Sequence, residues 1–166
     1  QAGPDAWFRK DEAFDQRFRA TFWDAHFAAA RGALGDWRKT PDGMLALMIL
    51  LDQFPRNCFR GTGHMYATDP LALSLAKEAD ARGDDGRIDP DLRVFLYLPY
   101  SHAEDRACQD RAVTLNERIG EPYIAHAIDH RDIVARFGRF PHRNPVLGRD
   151  TRPEEHSFLQ EGGFAG

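Results

Sequence analysis

From Met44 to Leu51 the chain reads MLALMILL, an unbroken apolar run. A helix there has no polar face and must be surrounded by other elements. The run is far shorter than the roughly 20 residues that cross a bilayer, so it predicts a core helix and not a membrane span. Thr40-Pro41 supplies the N-cap and first residue of this helix. Asp52 and Gln53 fall in its last turn, where the helix dipole disfavours an acid, and Pro55 is expected to stop it just beyond. Upstream, Phe14, Phe18 and Phe22 recur at i, i+4 and i+8 and predict an amphipathic helix with these rings as its buried stripe. Asp11 caps that helix, which runs to about Arg31 and ends at Gly32 to Gly35.

Proline after an acid marks further starts. Asp69-Pro70 opens a helix that Gly83 ends, Asp89-Pro90 a short one that stops before Pro99, and Glu121-Pro122 one that ends at Gly138. Ser101 and Glu104 form an S-x-x-E capping box, which starts a helix at His102 that runs to about Ile119 with Gly120 at its end. Thr151 and Glu154 repeat the box for a last helix. Acidic Asp80 to Asp91 reads as an exposed loop. No stretch alternates with period two and β-branched residues, so nothing is left to build a sheet. The expected fold is all-α: one domain over residues 1–166, a helical bundle or an array of antiparallel helix pairs.

The chain of 166 residues is long enough to bury a core without staples. Its net charge of -4 argues against general nucleic-acid binding, which needs a cationic surface. Arg131, Arg136, Arg139, Arg143, Arg149 and Arg152 outnumber Asp132 and Asp150 locally, but without interleaved exposed aromatics. No nucleic-acid or membrane partner is therefore expected. Cys58 and Cys108 lack metal-like spacing and are expected to be reduced, in a cytoplasm. No targeting signal is visible, which agrees with that location.

The candidate chemistry lies at two corners. Phe54-Pro55-Arg56-Asn57 nearly recurs as Phe140-Pro141-His142-Arg143-Asn144, about 86 residues later and at no common solenoid period. Asp52 needs a cation, and Arg56 and Arg60 are nearest. These corners nominate Asp52, Gln53, Arg56, Asn57, Arg60, Arg139, His142, Arg143 and Asn144 as ligand-binding residues. Guanidinium forks suit carboxylates and phosphates, which points to an anion pocket, while the alternative pairs the same Arg residues internally with Asp52, Glu104 and Asp105.

His130 falls inside the apolar arc of Tyr123, Ala127, Val134 and Phe137. It is either a neutral core imidazole or a ligand or base lining a cleft. His126, one turn earlier, gives an H-x-x-x-H spacing without the glutamate of a zincin motif, and no metal or other cofactor is expected. Glu104 and Asp105 suit a helix N-terminus as caps or, in a site, serve as acid or base. His102 and Gln109, with Asp105 between them, either hold a substrate or lock a corner.

The runs LLDQFPRNCFRGT, FLYLPYSHAEDRACQ and RFGRFPHRNPVLGRDT, in this order, resemble the signature of the bacterial domain-of-unknown-function family numbered 924. The likeness extends from Trp7-Phe8 through Asp15 to Leu159. It implies an all-helical fold similar to tetratricopeptide-repeat proteins, and it supplies no activity. Members usually begin with a further Phe- and Trp-rich segment before the position of Trp7, so the resemblance implies a truncated N-terminus. Where relatives more often have an acid before the histidine and a serine after it, this chain has Ser101-His102-Ala103-Glu104.

Two functions follow as expectations. In the first, a pocket at helix ends binds a small anionic molecule and is a candidate enzyme site, with His102, Glu104, Asp105 and His130 as catalytic residues. In the second, a tetratricopeptide-repeat-like module binds a protein or peptide and the polar corners only fix helix angles. Polar motifs gathered at helix ends favour the compact pocket. Oligomeric state is left open.

Overall fold

In the computed structural model, which describes Gly3, Trp7 and residues 10–164, the Asp11 carboxylate accepts from the Phe14 N–H at 3.0 Å and opens α1 (Glu12–Ala30). The phenylalanine stripe lies at the margin of this helix rather than in the core. Phe14 stacks on Phe18 and Phe18 meets Phe22 edge-on, but Phe22 is 41% exposed and the residues that α1 buries are His26 and Ala29.

Thr40 caps α2 (Pro41–Met48) as its sequence predicts, with Oγ1 accepting from the Gly43 N–H at 3.1 Å. A Cβ on Gly43 would lie 2.1 Å from the Trp37 carbonyl oxygen, so only glycine lets the preceding turn fold back on the helix. Met44, Leu45, Leu47, Met48, Leu50 and Leu51 are all buried. The apolar run is indeed the centre of the fold.

Pro55 does not stop it. The helix widens into a π turn over Ile49–Gln53, where the Phe54 N–H reaches back to the Ile49 carbonyl, and continues as α3 (Phe54–Cys58) with Pro55 inside. A proline ring clashes with the carbonyl four residues earlier in an α-helix, and the wider turn relieves that clash. Side chains then take up the loosened carbonyls. The Leu50 oxygen accepts from His26 Nδ1 at 2.9 Å, the Leu51 oxygen from the Thr68 hydroxyl, and the Asp52 oxygen from Arg56 Nη1 at 2.9 Å. Because a carbonyl only accepts, His26 carries its proton on Nδ1. Its Nε2, 2.9 Å from His64 Nε2, then accepts from His64.

Downstream run α4 (Asp69–Arg82), α5 (Arg93–Ser101), α6 (Arg106–Asn116), α7 (Tyr123–Phe137) and α8 (Pro153–Gln160), with no strand among the described residues. Gly83 and Gly138 close α4 and α7 in the left-handed conformation, at φ 66° and 73°. Three boundaries differ from expectation. α5 runs through Pro99, which removes one backbone donor, and regular bonding resumes where the His102 N–H donates to the Leu98 carbonyl. The Ser101 to Glu104 capping box does not form. Asp105 caps α6 instead, accepting from the Cys108 N–H at 2.8 Å, which frees Glu104 for other partners. The last box is shifted by one residue, with Glu155 accepting from the Arg152 N–H at 2.8 Å.

Nor is Asp80 to Asp91 a loose loop. Asp84 is fully buried against Arg82, Asp80 takes two bonds from Arg111 and one from Tyr100, and Asp85 accepts from Tyr97 and Arg118. α2 packs on α4 and α5, while α4 on α5, α5 on α6 and α6 on α7 are consecutive packed pairs, consistent with a tetratricopeptide-repeat-like array. Ile133, Val134, Phe137 and Phe140 form a second cluster beneath Phe158 of α8. No helix among the described residues is long and apolar enough to cross a membrane.

Candidate functional site

The π turn places Asp52 where a regular helix would not. Only 1% exposed, its carboxylate accepts from His102 Nδ1 at 2.7 Å and from the Gln53 amide at 2.5 Å and forms an ion pair with Arg56 Nη1 at 3.0 Å. Burial acts to raise its pKa, yet the Arg56 and His102 contacts hold the carboxyl far below the usual range. His102 stays neutral, because burial and then Arg56 lower its pKa more than Asp52 raises it. A carboxylate only accepts, so the His102 proton sits on Nδ1 and its Nε2 keeps a free lone pair.

Arg56 spans two acids. Besides Asp52 it binds Asp69 bidentately, at 2.8 and 2.9 Å. Asp69, the first residue of α4, also takes Arg143 Nη1 at 3.5 Å, so it ties the two Phe-Pro corners together. Arg143 is 6% exposed, with its guanidinium 4.6 Å from the Tyr66 ring centroid and 4.5 Å from that of Phe140. Its Nε has no partner among the described residues. Burial and then the neighbouring Arg56 lower its pKa, the sign of a cation that lacks sufficient counter-charge.

These groups enclose a cavity of about 180 Å³. Gln53, Arg56, Asn57, Arg60, His102, His130, His142 and Arg143 line it on the polar side, and Trp7, Met65, Tyr66, Leu98 and Phe164 complete the wall. Eight of the nominated residues therefore converge there, with Asp52 directly behind. Within the rim, Asn57 and Arg60 are held by Asp15, at 2.8 Å and 3.2 Å. His130 donates from Nδ1 to the His126 carbonyl at 2.7 Å, which also leaves its Nε2 lone pair free.

The remaining nominees lie elsewhere. Glu104 accepts from the Phe140 N–H at 2.7 Å and takes two bonds from Arg149, at 2.6 and 2.9 Å, so it pins the second corner from behind. Asp105 is the exposed cap of α6. Gln109, fully buried, donates to the Ser101 and Ala103 carbonyls and locks the turn between α5 and α6. Arg139 and Asn144 both bind Glu155 and anchor α8. The internal-pairing reading thus describes these residues well, although the acids involved are Glu155 and Asp69 as much as those expected. Sequence reading missed Tyr66, Met65, Leu98 and Phe164 as cavity residues. Only Asp69, as an acid opening a helix between two Arg-bearing corners, carried a local signal. Among the described residues no group of three or more His, Cys, Asp or Glu side chains could hold a metal ion.

Four histidines are held neutral. Burial lowers the pKa of His26 and His102, and burial with nearby cationic or imidazole neighbours pushes His130 down to about 4 and His142 to about 3. Unfolded, each returns to about 6.5. Below that value the unfolded chain binds more protons, so stability falls as pH drops from about 6.5 toward the folded values. Urea midpoints should hold nearly level from pH 7.5 to about 6.5 and decline from there to pH 5; no decline below pH 6.5 would contradict the buried neutral imidazoles.

A family model described as a bacterial protein of unknown function, DUF924, matches residues 1–163. A solved structure of a protein of unknown function from Agrobacterium tumefaciens is 62% identical, with a TM-score of 0.94 over 96% of this chain and 91% of that one. No curated protein matches the chain.

Proposed function

We propose that this chain, which belongs to the DUF924 family of bacterial proteins of unknown function, holds a small carboxylate- or phosphate-bearing molecule in the cavity between its two Phe-Pro corners. The observation that carries this reading is Arg143, a guanidinium 6% exposed whose Nε has no partner among the described residues and whose ion pair there is a 3.5 Å bond to an Asp69 already engaged by Arg56. A cation desolvated without sufficient counter-charge is costly, and a bound anion offsets that cost. Met65, Leu98 and Tyr66 offer apolar surface to the rest of the ligand. The Asp52–His102 pair, with its free Nε2, has the form of a general base oriented by a carboxylate, able to take a proton from a hydroxyl or water of the bound molecule.

The peptide-module alternative is favoured by the satisfied polar corners around Glu104, Gln109 and Glu155, but it leaves Arg143 unexplained. Thermal unfolding with sulfate, phosphate, acetate and benzoate tests the choice, because a ligand of the folded state raises the midpoint by mass action. At least one anion should raise it for the starting protein. Arg143→Met should abolish the rise while leaving ligand-free stability equal or higher, since it removes a poorly compensated charge. A large loss of stability in Arg143→Met, or no response to any anion, would return the residue to architecture.

A further inference from the structure

We infer that the anion enters this cavity together with a proton, which His142 and His130 take up. The inference rests on the anion reading above and concerns how that site balances its charge. With the imidazoles neutral, the formal charges of the described groups around the cavity sum to zero, even though Asp69 serves Arg143 only through one 3.5 Å bond: Arg56 and Arg143 stand against Asp52 and Asp69, Arg60 against Asp15, and Arg149 against Glu104. A bound anion therefore leaves the site one or more charges negative unless something in the wall gains a proton.

Only the imidazoles can supply that change, and their surroundings separate them. His102 is already bonded to Asp52. His142 has a buried Nδ1 with no partner among the described residues, and it faces Arg143, His130 and His102, with Glu104 as the acid that acts on it. That acid is consumed by two Arg149 bonds and the Phe140 N–H. His130 faces His102, His126 and Arg143, with its Nδ1 spent on a backbone carbonyl and no carboxylate bonded to it. Both rings lie against Phe140 and Phe164, His130 at 5.4 and 4.7 Å and His142 at 5.7 and 5.1 Å between centroids. Burial first, and then the cationic and imidazole neighbours, keep both rings neutral, and an anion lying among those neighbours offsets their share. A negative charge within a few ångströms favours the protonated form. Linkage makes the effect reciprocal: protonation strengthens anion binding by the factor by which the anion strengthens proton binding.

The test is isothermal titration calorimetry of the whole chain with sulfate and with benzoate, neither of which titrates near neutrality, each in two buffers of different ionisation heat. The expected result is proton uptake that grows from a fraction of a proton per anion at about pH 7 toward one at about pH 5.5. Affinity should also fall by up to about tenfold for each pH unit of increase across that range. In the double variant His130→Asn with His142→Asn, sulfate or benzoate should still bind, with an affinity that no longer depends on pH. Anion binding without proton uptake in the starting protein overturns this inference and leaves the anion site standing. Uptake that persists in the double variant overturns the assignment to these two rings. Absence of binding by either probe removes the anion reading and the proton with it.

Discussion

Asp52→Ala is expected to lower the unfolding free energy by about 3–5 kcal/mol in equilibrium urea titration, the loss typical of removing one member of a buried ionic set. The carboxylate is 1% exposed and serves three donors, Arg56, His102 and Gln53. Without it Arg56 keeps Asp69 as its acid and the backbone carbonyl of residue 52, the Gln53 amide loses its acceptor, and His102 loses the partner that fixes its tautomer. Asp52→Asn should cost less, because the amide oxygen still accepts from one donor while the charge that balances Arg56 is gone. A loss below about 1 kcal/mol for Asp52→Ala would mean that water replaces the carboxylate, and the site would be wetter than its burial indicates.

The second large effect is at the other end of the chain. Glu155, fully buried, takes two bonds from Arg139, one from the Arg152 side chain, one from the Arg152 N–H and one from Asn144. Glu155→Ala leaves several donors without an acceptor and should cost about 3 kcal/mol. The loss has an upper limit, because the segment from Arg149 onward can undock and let water reach the freed guanidiniums. Limited trypsin digestion should then cut near Arg149 or Arg152 well before the rest of the chain. Unchanged protease resistance with unchanged stability would show that Phe137 and Phe140 beneath Phe158 hold α8 without the glutamate.

Local chemistry was legible in the sequence, and distant chemistry was not. Asp11, Thr40, Gly83 and Gly138 act on residues within one turn, and each performs the capping or ending expected of it. The corner at 101–105 failed for the same reason that it looked clear. Ser101 and Asp105 are both competent caps, and the choice was made by Arg149 and the Phe140 N–H, which draw Glu104 toward residues some forty positions away. Pro55 likewise obeyed a rule about its own helix only until His26 and Thr68, from other parts of the chain, bound the carbonyls that a π turn loosens. The two similar corners do meet, through Asp69, but the second divides: Arg143 reaches the cavity while Asn144, with Arg139 just before the corner, turns to Glu155.

The π turn also constrains how this chain can change over evolutionary time. It is in effect one residue more than a regular helix needs, and each residue advances a helix by about 100°. Deleting a single residue from Ile49 to Gln53 would return the turn to ordinary helical bonding with its flanks in their present relation, but Pro55 would then meet the carbonyl four residues before it, and the carbonyls that His26 and Thr68 bind would be drawn back into the helix. A lineage that loses one of these residues must therefore also replace Pro55 and do without the carbonyl contacts of His26 and Thr68, so the wide turn, the proline after it and the two side chains that bind it change together.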